Sequence, residues 1–163
     1  MRAFLLTFFI FIFISGYTFS QNIKSISKKV SEINSTKNIK IKTVPYSYFL
    51  DKNQTSDNGI ELKGFYKDGK LKKIEHFVGL SAWNISTQYF FSENDKLIFV
   101  LAKKYQIIDE NGYIKNPKLL SESRYYYTDE RLVKVTGIAQ NPDVENSYLK
   151  ESKTLRRDLE EYK

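Results

Sequence analysis

Three segments of this chain repeat one pattern, in which an aromatic run, a polar turn and a short apolar run follow one another. The segments are 65–74, 89–100 and 125–135, and in each a basic residue and a leucine come directly after the turn. Aromatic and β-branched residues suit the pleated surface of a strand. In the first copy, Asp68-Gly69 supplies the positive φ angles of a tight two-residue turn. Each segment is therefore predicted to form a β-hairpin.

A fourth hairpin is predicted between the second and third copies, where Asn111-Gly112 separates two apolar runs. Asn-Gly between apolar runs is among the strongest short hairpin signals. The stretch 97–102 is apolar at both alternating sets of positions, which is typical of a strand covered on both faces. Because the copies are irregularly spaced, we expect a meander of unequal hairpins, with a strongly curved sheet or half-barrel as a variant.

Two amphipathic segments flank this meander. Residues 22–34 carry isoleucine and valine at three- and four-residue steps, which predicts a short helix. Near the other end, Asn141 and Pro142 suit the start of a second helix. The apolar stripe of that helix comprises Val144, Tyr148, Leu155, Leu159 and Tyr162. We predict an α+β fold, in which an N-terminal helix, an antiparallel meander of roughly six to eight strands and a C-terminal amphipathic helix pack together.

The segment before the first hairpin copy is predicted to form an edge strand. Apolar or β-branched residues alternate with lysines at 39–44, and Pro45 confines such a strand to the edge or ends it. The alternation of Tyr46, Tyr48 and Leu50 would continue the strand. The polar run 51–59 is predicted to be a loop.

The N-terminal segment has the three-part order of a secretory signal peptide. Arg2 precedes an apolar run at 4–14, and small or turn-prone residues follow up to Ser20. This order predicts a cleavable signal at 1–20, with cleavage after Ser20. The apolar run is too short for the roughly 20 residues that cross a bilayer. We therefore expect a periplasmic or secreted protein without a stable membrane span, whose residues 21–163 form a single α+β domain.

The chain has no cysteine and one histidine. This excludes disulfides and any zinc site built from cysteine and histidine. Because no cofactor or nucleophile motif is present, we predict no metal, no cofactor and no catalytic residue. His76 allows two interpretations, a general base in a cleft or a structural histidine at the sheet margin. The second is favoured because no nucleophile motif stands near it.

Aromatic residues are the candidate ligand-binding groups. The predicted set is Trp83, Tyr89, Phe91, Tyr125 and Tyr127. The tryptophan falls in a predicted loop, 79–84, where it could stack on a sugar or fold over the core. By strand alternation Tyr125 and Tyr127 share one face, and the aromatics of the second hairpin copy could join them. Core packing with cross-strand aromatic pairs is the favoured alternative for these strand residues.

Residues 97–100 (Leu-Ile-Phe-Val), followed downstream by 123–134 (Ser-Arg-Tyr-Tyr-Tyr-Thr-Asp-Glu-Arg-Leu-Val-Lys), resemble a group of small exported bacterial proteins of uncharacterised function. Those proteins carry aromatic hairpins of the kind Tyr-Tyr-x-Asp-Gly-Lys-Leu. The resemblance covers residues 60–136 and implies a periplasmic or secreted setting, with no activity to transfer. The second and third hairpin copies depart from the pattern because they lack the turn glycine.

Three functions remain open from the sequence. The first expectation is a non-enzymatic binding module whose aromatic sheet holds a small apolar or glycan-like ligand. The second is a cell-envelope protein-interaction partner that uses a basic N-terminal arm, 22–42, in which six lysines face one glutamate. The third is a hydrolase-type enzyme that uses His76. No nucleic-acid partner is expected, because an exported protein rarely meets nucleic acid.

Overall fold

A computed structural model describes residues 22–138 and 144–163. The chain divides into two compact units, one up to Ser35 and the other Thr36–Lys163. The first contributes helix α1, residues 22–35, at the predicted position. On α1, Lys28 and Glu32 form an ion pair one helical turn apart, with 3.7 Å between Nζ and Oε1. The predicted signal peptide and the predicted cap residues Asn141 and Pro142 lie outside the described residues.

The second unit is a seven-stranded antiparallel sheet in which the strand order follows the chain order. The strands are β1 (Lys40–Val44), β2 (Ile60–Lys67), β3 (Lys70–Gly79), β4 (Trp83–Phe91), β5 (Leu97–Asp109), β6 (Gly112–Thr128) and β7 (Arg131–Gly137). Two helices accompany them, α2 (Tyr46–Asp51) and α3 (Val144–Glu161). Because β1 and β7 are the two edges, the sheet is open and not closed into a barrel. The predicted α+β meander is confirmed.

The turns of the meander show how each hairpin closes. Asp68 and Gly69 join β2 to β3 with φ angles of 50° and 76°, the left-handed geometry expected of this pair. Asp129 and Glu130 join β6 to β7 with φ angles of 50° and 61°, so the third copy adopts the same turn without a glycine. Left-handed geometry is costly for a residue with a Cβ. The third turn is therefore held by the pairing of its strands and not by local preference.

The segment after β1 corrects one prediction. The expected continuation of the strand through Tyr46, Tyr48 and Leu50 is wrong, since these residues form the short helix α2. Pro45 lies directly before the helix with φ at −78°, and it lacks the N–H that a continuing strand would donate. The helix buries Phe49 in the core, which an extended chain would leave at the sheet edge.

Helix α3 packs on one face of the sheet, and the core lies between them. Leu155 and Leu159 of its predicted stripe are buried, and Tyr148 and Tyr162 pack against the same cluster. The helix approaches β2 closely at Gly64, where an added Cβ would lie 2.9 Å from Leu159 Cδ1. The sheet residues of this core include Val44, Leu62, Ile74, Tyr89, Val100, Tyr125 and Tyr127.

The opposite face of the sheet carries a row of aromatic rings across three strands. The ring centroids of Phe90 and Phe99 are 5.6 Å apart, and those of Phe99 and Tyr126 are 5.0 Å apart. Residues 97–100 are all buried, so this part of β5 has apolar contacts on both faces. The prediction of a strand covered on both faces is confirmed for these four positions, whereas Leu101 and Ala102 are half-buried.

A polar cluster joins α2 to α3 at one margin of the core. Lys52 Nζ lies 2.9 Å from Oδ1 of Asp158 and 2.6 Å from Oε2 of Glu161. The Asp158 side chain is buried, and a buried carboxylate needs a partner such as this lysine. Hydrogen bonding to Glu161 raises the pKa of Lys52, and the same contact lowers the pKa of Glu161. The Tyr48 hydroxyl lies 3.2 Å from the same oxygen of each carboxylate and can donate its one hydrogen to either.

Candidate functional site

A cavity of about 320 Å³ opens between α3 and the strands β3 and β4, and we call it the α3 cavity. Its lining residues are His76, Val78, Ile85, Thr87, Ser147, Tyr148 and Glu151. The strand register explains the sheet side of this lining. His76 pairs with Thr87 and Val78 pairs with Ile85, so the four side chains project from one face of two adjacent strands. The remaining lining residues lie on the first half of α3.

The sheet and the helix are joined at this cavity by a side-chain contact. His76 Nδ1 lies 3.2 Å from Oε1 of Glu151. Because an ionised carboxylate can only accept, Nδ1 is the donor in this contact. The His76 side chain is 14% exposed and that of Glu151 is 38% exposed, so the pair sits at the boundary between core and solvent. A carboxylate that fixes the orientation of an imidazole is a common device of binding and catalytic sites.

The negative charge of Glu151 affects the pKa values of two tyrosines near the cavity, Tyr89 and Tyr148. Burial raises the pKa of Tyr89, and Glu151 raises it further. The Tyr89 hydroxyl makes no hydrogen bond of normal geometry, so the carboxylate acts on it mainly through charge. Burial also raises the pKa of Tyr148, with Tyr125 and Glu151 as the next causes. Both phenols therefore remain neutral donors at physiological pH.

Four of the five predicted ligand-binding aromatics lie in the core and are not among the residues that line this cavity. Tyr89 is 0% exposed, and Phe91, Tyr125 and Tyr127 are buried with it. Two of them contact α3, since the ring of Tyr148 lies 6.2 Å from that of Tyr89 and 4.8 Å from that of Tyr125. Tyr148 thus separates the buried aromatics from the cavity that it lines. A ligand in the α3 cavity would therefore contact Tyr148 and not the buried aromatic residues behind it.

The fifth predicted residue, Trp83, begins strand β4, whereas the sequence analysis placed it in a loop. By strand alternation it shares a face with Ile85 and Thr87, two positions further from the core. Its side chain is exposed at the 39% level, and Lys104 Nζ lies 4.1 Å from its ring centroid. Trp83 therefore stands at the solvent end of the strand face that lines the cavity, with one ring face covered by a cation.

Sequence reasoning singled out His76 but missed Glu151, Thr87 and Ser147. The available signal was the four-residue step between Ser147 and Glu151, which puts both on one side of α3. That signal is common on charged helices. Which strand the helix crosses, and at what height, depends on packing between elements distant in sequence.

A second, open cavity of about 530 Å³ lies beside the edge strand β1 and the end of α3. Its lining residues are Asn38, Lys40, Lys42, Tyr66, Asp68, Gly69, Leu159 and Glu160. Two lysines face two acids here, so the lining has no dominant charge. Lys40 and Lys42 are also the last two lysines of the predicted basic arm, which spans α1 and β1.

Comparison with protein-family models, with curated proteins and with solved structures finds no match to this chain. Among residues 22–138 and 144–163, no three histidine or acidic side chains group as metal ligands. Within the same residues, no helix combines the length and the apolar character that a membrane crossing requires.

Proposed function

We propose that this protein is an exported, non-enzymatic binding module that holds a small ligand in the α3 cavity. The observation that carries the proposal is the lining itself. Val78, Ile85 and the ring of Tyr148 provide an apolar wall, and four polar side chains converge on the same space. Ligand pockets typically combine such walls with a few placed polar groups at volumes of about 300–1,000 Å³. Export is proposed from the signal-like N-terminal segment, which implies a periplasmic or secreted ligand.

The direct test is native mass spectrometry of the protein purified from the envelope fraction of the cells that produce it, with a denatured control. A bound molecule adds mass that disappears on denaturation. The same measurement gives the N-terminus, which the proposal sets at Gln21, so that 143 of the 163 residues remain. A clean protein mass without any ligand, in envelope, culture medium and cell extract alike, would count against the binding module.

A cavity-filling variant assigns the bound mass to the α3 cavity. Ile85→Phe adds a larger side chain to the cavity wall, and the bound mass should vanish. The matched control is Ile41→Phe, because Ile41 is exposed on edge strand β1 and the bound mass should remain. If Ile85→Phe unfolds, Val78→Phe fills the same space from the neighbouring strand. If a cavity-filling variant folds and still carries the bound mass, the ligand binds outside the α3 cavity.

The contact between His76 and Glu151 favours a second candidate, a hydrolase-type enzyme. An imidazole oriented by a carboxylate can act as a general base toward water or a substrate hydroxyl. The experiment compares ester and amide hydrolysis by the wild type and by His76→Gln. An enzyme would lose at least about a hundredfold in rate, the usual contribution of a general base. Equal rates in the two proteins would count against a catalytic role of His76.

A further inference from the structure

We infer that the α3 cavity selects an organic cation, a small amine or ammonium compound with an apolar body, and this inference rests on the proposed binding function. The charge of the lining points to this ligand class. Among the described residues that line the cavity, Glu151 carries the only formal charge when the His76 ring is neutral. The protein as a whole carries a formal net charge of +7, so an acidic cavity stands out from the general surface potential.

The geometry of the lining also suits an amine. Glu151 spends one hydrogen bond on His76, through Oε1, and a carboxylate has further lone pairs for a second donor. Tyr148 is the aromatic residue of the same lining, and a cation is attracted to the face of an aromatic ring. Carboxylate and aromatic ring together recognise ammonium groups, while Val78 and Ile85 accept the apolar remainder.

A positive charge beside the cavity wall, that of Lys104, is held away from the lining. Lys104 pairs with Ile85 in the strand register, so it emerges beside the cavity wall. Its ammonium lies over the Trp83 ring and is absent from the lining. Lys104 therefore weakens the acidic field of the cavity without neutralising Glu151. This arrangement supplies a control of opposite sign, because removal of Lys104 should strengthen cation binding.

Three probes of one shape test the charge preference: benzylamine, benzyl alcohol and benzoate. The chain has one tryptophan and one histidine, so Trp83 fluorescence and the ring proton signals of His76 report binding without labels. We expect benzylamine to bind most tightly and to shift both signals. Glu151→Gln should weaken benzylamine binding about tenfold or more, as expected for the loss of a hydrogen bond to a charged group. Lys104→Gln should tighten it, because a positive charge beside the cavity wall is removed.

The outcomes separate this inference from the binding function. Preferential binding of benzyl alcohol or benzoate, or unchanged benzylamine affinity in folded Glu151→Gln, would overturn the cation preference and leave a ligand-binding cavity in place. If no probe shifts either signal up to the solubility limit, the cation preference fails. If the native protein also carries no bound mass, the binding function fails with it.

Discussion

His76 Nδ1 and Glu151 Oε1 are 3.2 Å apart although 75 residues separate the two in sequence. The histidine belongs to the third strand of the sheet and the glutamate to the last helix. Their contact exists only once α3 is docked, so the polar part of the α3 cavity forms through tertiary packing. No feature of the local sequence around either residue identifies the other as its partner.

A double-mutant cycle measures this contact. His76→Gln, Glu151→Gln and the double variant should show a coupling free energy of about 1 kcal/mol at neutral pH, since Glu151 is partly solvated. The measurement is the free energy of unfolding from urea titration. A matched cycle of Lys28→Gln with Glu32→Gln, an exposed pair on α1, should give less than half of that coupling. Zero coupling would mean that the His76–Glu151 contact contributes nothing to the docking of α3.

The docking of α3 depends on a leucine with no exposed surface. Leu159 is 0% exposed and packs over Gly64 of β2. Leu159→Ala should lower the free energy of unfolding by about 2–5 kcal/mol, because the close packing leaves a cavity. Ile41 is 54% exposed, and Ile41→Ala should change stability by no more than about 0.5 kcal/mol. Equal effects of the two substitutions would show that α3 does not pack on the sheet as described.

The turn between β6 and β7 offers a stabilising substitution. Glu130 has a φ of 61°, which costs a residue with a Cβ about 1–2 kcal/mol relative to glycine. Glu130→Gly should raise the free energy of unfolding by about 1 kcal/mol. The substitution also removes an exposed ion pair with Lys153. Lys153→Gln removes only that ion pair and should change the free energy of unfolding little. If Glu130→Gly lowers the free energy of unfolding, the left-handed conformation of Glu130 does not strain the turn.

The cluster of Lys52 with Asp158 and Glu161 makes stability depend on pH. The lowered pKa of Glu161 means that its carboxylate stabilises the fold above its usual pKa of 4.5, and this contribution is lost as pH falls through the lowered value. The raised pKa of Lys52 means that its contribution is present below 10.5 and is lost as pH rises through the raised value. Lys52→Met should therefore be most destabilised near neutral pH.

The measurement compares the unfolding midpoint of the wild type and Lys52→Met between acidic and neutral pH. The difference between the two midpoints should become smaller on acidification, because Glu161 becomes protonated in the wild type. Lys40→Met, which removes an exposed lysine from β1, should show a small gap that does not change with pH. If the difference for Lys52→Met does not change with pH, the contact with Glu161 does not cause the pH dependence.

The contact between Trp83 and Lys104 predicts charge-dependent fluorescence quenching. Iodide collects near an ammonium group, so it should quench the half-exposed Trp83 more strongly than neutral acrylamide does for the same accessibility. In Lys104→Gln the ratio of iodide to acrylamide quenching should fall about twofold at low salt, since one unit charge is removed at close range. An unchanged ratio would show that the lysine does not stay over the ring in solution.

Much of the sheet could be predicted because its signals are local. The pair Asp68-Gly69 by itself indicates a tight turn. The alternation of side chains along β3 correctly puts His76 on one face with Val78. The helix α2 could not be read, because Tyr46 and Tyr48 alternate as strand residues do. The burial of Phe49 against the rest of the core, together with the missing N–H of Pro45, favours the helix there.

The site was harder to predict than the sheet for a physical reason. Glu151 lies among many charged residues on α3, and nothing in the local sequence distinguishes it from Lys150 or Lys153. Its role follows from the angle and position at which the helix crosses β3 and β4. Those quantities are set by the packing of Leu155 and Leu159 against the sheet, including Gly64 of β2, which lies far from α3 in sequence.

The sequential strand order has a consequence for the order of assembly. Each strand pairs with the one synthesised just before it, so the meander can form hairpin by hairpin with short-range contacts, which favours rapid folding. The α3 cavity instead waits for the final helix to emerge and pack. A chain that stopped at β7 could form every hairpin and still have no pocket, so competence to bind would be the last property that a newly made molecule acquires.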